Sequence, residues 1–412
     1  MIEFSKFTLE NGLKVIVHRD QSTPIVAINM LYNVGAKDEN PEKTGFAHLF
    51  EHLMFGGSIN IPIYDEPLQI VGGDNNAFTN NDITNYYLTL PKANIETGFW
   101  LESDRMLSLA FSEKSLDVQR NVVIEEFKQR YLNQPYGDIW LLLRPLVYKV
   151  HPYQWATIGK EISHIENATI EDVKEFFYQH YAPNNAIMVV AGDVTEVEIR
   201  KLTEKWFSPI PKRKVKKRML PQEPKQNEYR ELKVERDVPF DSITMAYHMC
   251  GRMHKDYYGY DLLSDILSNG KSSILYQKLI KEKRLFADID AYISGSIEAG
   301  LFIISGTLHG GVDMKIAKNA IQEIIDEIST KKVNPEDLIK VKNKTEANLQ
   351  FSEIDVLNKA MNLAHFELLG NANMINEEIE KYQKVNEKDI LRLAKKVFVK
   401  ENCSTLYYYA KK

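Results

Sequence analysis

Apolar and polar positions alternate along Lys14 to His18 and Ile25 to Tyr32, with β-branched residues on the apolar beats. This period of two predicts a pair of strands before the turn-rich stretch Asn33 to Glu42. Helical spacing starts at Thr44. Asn76-Ala77-Phe78-Thr79 and Thr84-Asn85-Tyr86-Tyr87-Leu88 read as the two arms of a hairpin, after which helices dominate to Asn133. Thr169-Ile170-Glu171-Asp172 has the form of a capping box opening a helix to His180, and Ala186 to Ala191 is an unbroken apolar run of strand length.

Between Ser208 and Asn227 the chain combines Pro209, Pro211, Pro221 and Pro224 with a basic run from Lys212 to Arg218. Such a stretch continues neither a helix nor a central strand, so it is assigned as a linker. The order of elements then repeats. Strands are predicted at Tyr229 to Glu235 and Ser242 to Met249, helices at Tyr257 to Leu267 and Ser273 to Lys283, and a last strand at Ser404 to Tyr409. The chain is therefore divided into residues 1–207, a linker 208–227 and residues 228–412. Each half is expected to be an α+β unit, a mainly antiparallel sheet with helices packed on one face, the two enclosing a cleft.

Composition adds bounds. At 412 residues the chain exceeds one ordinary core, and 44 % hydrophobic with 26 % charged residues is globular usage. A formal net charge of -5 with interspersed signs gives no footprint for nucleic acid or an anionic membrane. No run approaches the roughly 18 apolar residues that span a bilayer. Cys250 and Cys403 are far apart and form no Cys-x-x-Cys motif, which fits a reducing compartment and a cytoplasmic protein.

The chemistry concentrates in Gly45-Phe-Ala-His48-Leu-Phe-Glu51-His52-Leu-Met-Phe-Gly56. Histidines four apart project from one helix face and can grip one ion. Glu51 falls near the same face, placed to take a proton from a water on the metal. The surrounding positions are apolar, so the helix is expected to be buried and its ionisable groups to need a strong partner, which a divalent cation supplies. Ten histidines in 412 residues make a chance H-x-x-E-H a coincidence of roughly 2 %, so a third ligand must be found. On the helix Ser115 to Tyr131, an apolar stripe of Leu116, Val123, Phe127 and Tyr131 leaves Glu126 at its edge and Glu125 pointing away, which makes Glu126 the better inward carboxylate.

These residues resemble the pitrilysin, insulysin and mitochondrial processing peptidase family, whose inverted zinc motif is H-x-x-E-H. The resemblance extends through Gly72-Gly73-Asp-Asn-Asn76-Ala77-Phe-Thr79, Arg120-Asn-Val-Val-Ile-Glu-Glu126, His151-Pro-Tyr153 with Ile158-Gly159, and Asn185-Ala-Ile-Met-Val-Val-Ala-Gly192-Asp193. It implies one zinc per chain on His48, His52 and Glu126, with Glu51 as general base. It also implies that Asn76, Ala77, Phe78 and Thr79 form an edge strand to which an extended substrate peptide adds. Several family members carry a second Glu seven residues before the third ligand, where this chain has Gln119, a neutral residue beside the metal shell.

The second half resembles the family less, through Leu267-Ser-Asn-Gly270-Lys-Ser-Ser273 and Leu279-Ile-Lys281-Glu-Lys-Arg284-Leu-Phe-Ala-Asp288. The family's substrate clamp is an Arg and a Tyr seven residues apart, and here Lys281 and Asp288 take those positions. Asp cannot donate to an oxyanion as a tyrosine hydroxyl does. Arg284 or Tyr292 is the alternative within this chain. The resemblance thus implies a zinc-dependent endopeptidase subunit of the short two-domain type. A homologous sister chain bearing the Arg/Tyr pair would complete it as a heterodimer, with a homodimer as the other arrangement. The competing readings are a non-catalytic binding or scaffold subunit and a purely structural zinc, which would need a fourth protein ligand.

Overall fold

The computed structural model describes residues 1–215 and 218–411; Lys216 and Lys217 of the basic run lie outside the described residues. The chain forms two compact units, and they do not follow the sequence division at 207 and 228. One unit comprises Met1–Arg130, Trp155–Leu220 and Gln350–Glu377; the other comprises Tyr131–Gln154, Pro221–Leu349 and Glu378–Lys412.

The first unit is built on a six-stranded sheet of β1 (Ser5–Thr8), β2 (Lys14–Arg19), β3 (Ile25–Tyr32), β4 (Asp74–Thr79), β5 (Thr84–Pro91) and β6 (Ala186–Gly192). Their spatial order is β1-β2-β6-β3-β5-β4. Only β2 and β6 run parallel, and the other neighbours pair antiparallel. Every residue of β6 is buried, which explains its unbroken apolar run: both of its faces are covered. The predicted capping box is present. Thr169 accepts from the Asp172 N–H and the Asp172 carboxylate accepts from the Thr169 N–H, starting the helix Ile170–His180.

Helices lie on one face of this sheet as expected, but the opposite face is not left bare. The helix Val356–Leu368, from the far end of the sequence, sets Val356, Ala360, Leu363 and Ala364 against Ile16, Ala27, Leu31, Ile187, Val189 and Ala191. On the other face the helix Ile95–Leu107 comes so close at Gly98 that a Cβ there would meet Ile28 Cδ1 at 2.7 Å.

The second unit repeats this plan with β7 (Arg230–Arg236), β8 (Ser242–His248), β9 (Phe286–Ile293), β10 (Leu301–Leu308) and β11 (Cys403–Ala410), in the order β7-β11-β8-β10-β9. Only β11 and β7 are parallel. One face carries the larger core, including Ile243, Met245, Phe302 and Ile304 against Leu263, Ile321 and Leu393. The other is covered by Leu143 and Val147 of the helix Ile139–Val147, which meet Ala246, Leu301, Ile303 and Leu406. Each unit therefore borrows one covering helix from the opposite half of the sequence. Among the described residues no helix is long and apolar enough to cross a membrane.

A fragment of residues 1–220 lacks the helix Val356–Leu368 and exposes Ile16, Leu31, Ile187 and Val189. It is expected to show no cooperative thermal transition by circular dichroism, and to gain one when a peptide spanning Gln350–Glu377 is added.

Candidate active site

The short helix Phe46–Leu53 carries His48, Glu51 and His52. Its start is fixed by conformation and by hydrogen bonds. Gly45, before the first helical residue, has φ +90°, a left-handed conformation, and a Cβ there would meet the Ile158 carbonyl oxygen at 2.7 Å, so only glycine fits. The side chain of Glu39 then serves as the cap. One of its carboxylate oxygens accepts from the Gly45 N–H (2.9 Å) and the Trp155 Nε1–H (3.1 Å), and the other from the Ala47 N–H (2.8 Å). Glu39 is buried, which pushes its carboxyl up to about 8 against the pull of the Ala47 and Gly45 amides. Thr44 is held as well: its N–H donates to His164 Nδ1 (3.1 Å), and its hydroxyl accepts from the Lys160 N–H (2.8 Å).

The apolar side of this helix, Phe46, Ala47, Leu49, Phe50 and Leu53, is buried as the pattern predicts. Phe50 stacks on Tyr181 at 5.1 Å between ring centroids and packs against Phe176 at 4.9 Å. With that side fixed, the two histidine rings stand edge to face, 4.9 Å apart. The third group comes from the helix Glu113–Phe127, opened by the Ser112 hydroxyl, which accepts from the Ser115 N–H. Along it Leu116, Val123, Ile124 and Phe127 are buried, Glu126 is half-buried and Glu125 is exposed.

Glu126 Oε2 lies 3.5 Å from His48 Nε2 and 3.4 Å from His52 Nε2. A charge-assisted hydrogen bond is shorter, about 2.7 to 2.9 Å. Ligands about 2.05 Å from one tetrahedral ion are instead separated by about 3.3 Å. The three side chains thus stand as if around a shared centre, and among the described residues they form a group able to hold a metal ion, one ligand atom from each lying within 4.8 Å of the others. Their charge states suit that role. Burial holds the His48 ring down to about 4, opposed by the Glu126 carboxylate, so the ring offers a lone pair at neutral pH. Glu126 is held below the usual carboxylate range, chiefly by the His52 ring.

Glu51 stands apart from this triad. Burial raises its carboxyl, with the polar groups of Thr79 and the His52 ring opposing and the Glu126 charge adding. The Thr79 hydroxyl is buried and forms no hydrogen bond of normal geometry, so it acts on Glu51 as a nearby dipole. Thr79 closes β4, which among the described residues pairs with β5 alone and ends the sheet. Asn76 to Thr79 therefore lie on a free edge that reaches the glutamate. Asn76 Oδ1 accepts from the Ala77 N–H (2.8 Å), and Phe78 is 38 % exposed. Gln119 is half-buried, two turns before Glu126 on the same helix face.

In the other unit Lys281 lies in the π-helical segment Tyr276–Glu282 and Asp288 on β9, both exposed. Arg284 sits between them in a left-handed conformation, φ +52°. Tyr292 is on the same side of β9 as Asp288 and Asp290, its hydroxyl pushed up to about 12 by burial and by Asp290.

Known proteins resemble this chain in sequence and in fold. A family profile described as "Insulinase (Peptidase family M16)" matches residues 14–135, which contain the whole triad, and one described as "Peptidase M16 inactive domain" matches residues 167–345. The chain belongs to peptidase family M16. It is 28 % identical over 409 residues to a Helicobacter pylori protein named zinc protease PqqE, covering 97 % of this chain and 91 % of that one. It is 25 % identical over 207 residues to the beta subunit of mitochondrial-processing peptidase of Saccharomyces cerevisiae, covering 50 % of this chain and 44 % of that one. The crystal structure of a protease from Helicobacter pylori superposes with a TM-score of 0.93 at 27 % identity, over 99 % of this chain and 100 % of that one. A Pseudomonas fluorescens structure titled as a peptidase M16 inactive domain shares the fold at a TM-score of 0.88 and 16 % identity, over 100 % of this chain and 99 % of that one.

The sequence reading of this M16 site missed Glu39. Its signal was an acid in a turn-rich stretch shortly before a glycine-started helix. Above about pH 8, where Glu39 is ionised, Glu39→Gln turns a double acceptor into a group with one donor facing buried N–H groups, at a cost of about 1 to 3 kcal/mol. Thermal unfolding of the metal-free chain should fall by several degrees, and zinc uptake, read by competition with a chromogenic chelator, should weaken although His48, His52 and Glu126 are unaltered.

Proposed function

We propose that this M16 chain is a zinc-dependent endopeptidase subunit that hydrolyses extended peptides or unstructured segments. The observation that carries the reading is the convergence of His48, His52 and Glu126 beside a half-buried glutamate that faces a strand edge. His48 and His52 would hold one zinc ion through Nε2 and Glu126 through Oε2. Zinc, when bound, supplies Lewis-acid polarisation of the scissile carbonyl and makes water more acidic. Glu51 takes the proton of the attacking water and delivers it to the leaving amine nitrogen. The edge of β4 binds the substrate backbone by main-chain hydrogen bonds, which selects extended segments over folded ones.

With Lys281 and Asp288 in place of an Arg/Tyr clamp, the chain would reach full activity as a heterodimer with a homologous subunit; a homodimer using Arg284 or Tyr292 is the alternative. Two unpaired cysteines support action in the cytoplasm. The second reading, a non-catalytic binding subunit of the same fold, is favoured by Asp288 and by the match to a domain described as inactive. Glu51→Gln separates the two. The variant should keep about one zinc per chain while hydrolysis of an unstructured peptide falls by roughly 10² to 10⁴-fold. Wild-type chain, with its partner present, that holds zinc yet shows no Glu51-dependent hydrolysis would leave the binding subunit standing.

A further inference from the structure

Glu126 presents its two oxygens to different partners. Oε2 faces both histidine Nε2 atoms, at 3.5 and 3.4 Å, whereas Oε1 is held by Arg130 at 2.8 Å. Arg130 lies one turn on, in the π-helical segment Lys128–Leu132 that continues the Glu126 helix. Residues four apart meet on one face, so the guanidinium reaches back along that face to the carboxylate. Competing partners are arranged elsewhere. Lys128 is taken by Glu125 at 2.8 Å, and Gln119, two turns before Glu126, is neutral.

A carboxylate with both oxygens free can ligate a cation through both, as carboxylates commonly do around calcium. At a three-residue zinc site the second oxygen would add a fifth ligand beside the water and crowd the position that a catalytic site keeps open for substrate. We propose that Arg130 is a positioning residue that confines Glu126 to one-oxygen coordination of the metal, by occupying Oε1. The assignment rests on the zinc reading above, but it concerns how the metal is held and not whether peptide is cut. Arg130 is largely exposed, 71 % for its side chain, so its effect is on ligand geometry and not on overall stability.

The test is the visible absorption of the full chain loaded with cobalt(II), whose d–d bands are much stronger in four-coordinate than in five-coordinate sites. Wild type, Arg130→Ala and Arg130→Lys are compared at equal cobalt content. The alanine variant should show bands weaker by roughly twofold or more and shifted toward a five-coordinate pattern, with lysine restoring most of the intensity. An alanine spectrum superimposable on wild type would overturn the assignment while leaving the zinc reading intact. Wild-type chain that takes up no cobalt or zinc would overturn the metal reading, and this assignment with it.

Discussion

Two imidazoles and a carboxylate gathered at one point on an otherwise apolar wall are the constraint around which the first unit is arranged. Ionisable groups in such a place lose hydration, and burial correspondingly holds His48 neutral and raises Glu51. The 3.4 and 3.5 Å separations between the groups are too long for strong mutual hydrogen bonds and suit an ion between them. Everything nearby serves to keep that spacing. Gly45 and Glu39 fix the start of one helix, the aromatic packing of Phe50 fixes its roll, and the buried stripe from Leu116 to Phe127 fixes the roll of the other.

The same economy of position explains why Glu51 differs from Glu126. Both are carboxylates within reach of the histidines, yet one belongs to the histidine helix and the other faces it from a second element. Glu51 is pressed toward Thr79 at the end of β4 and is raised by burial, the direction a proton acceptor of moderate strength needs. Glu126 is held ionised by the His52 ring and engaged at both oxygens. Environment sets apart two carboxylates that composition leaves equal.

Much of this was legible because it is local. A spacing of four puts His48 and His52 on one helical face whatever surrounds them, and Val123 and Phe127 fix which way Glu126 turns. The predicted limits Ile25–Tyr32 match β3, although the strand is buried along almost its whole length and does not alternate. What escaped reading depends on distant partners. Nothing near Val356 announces that its helix will cover Ile187 and Val189, and nothing near Leu143 points to Ile303. Glu39 looked like one more acid in a turn because its amide donors lie beyond the turn, and Arg130 because an exposed arginine is ordinarily just solvated. The division at 207 and 228 followed element order, whereas the units follow burial.

The central claim is that one metal ion sits between His48, His52 and Glu126, and anomalous diffraction from crystals of the zinc-loaded chain, recorded on both sides of the zinc absorption edge, tests it most directly. The account predicts one strong difference peak per chain, within about 2.2 Å of the two histidine nitrogens and one Glu126 oxygen. Stoichiometric zinc with its peak elsewhere, or no peak among these three residues, would contradict it.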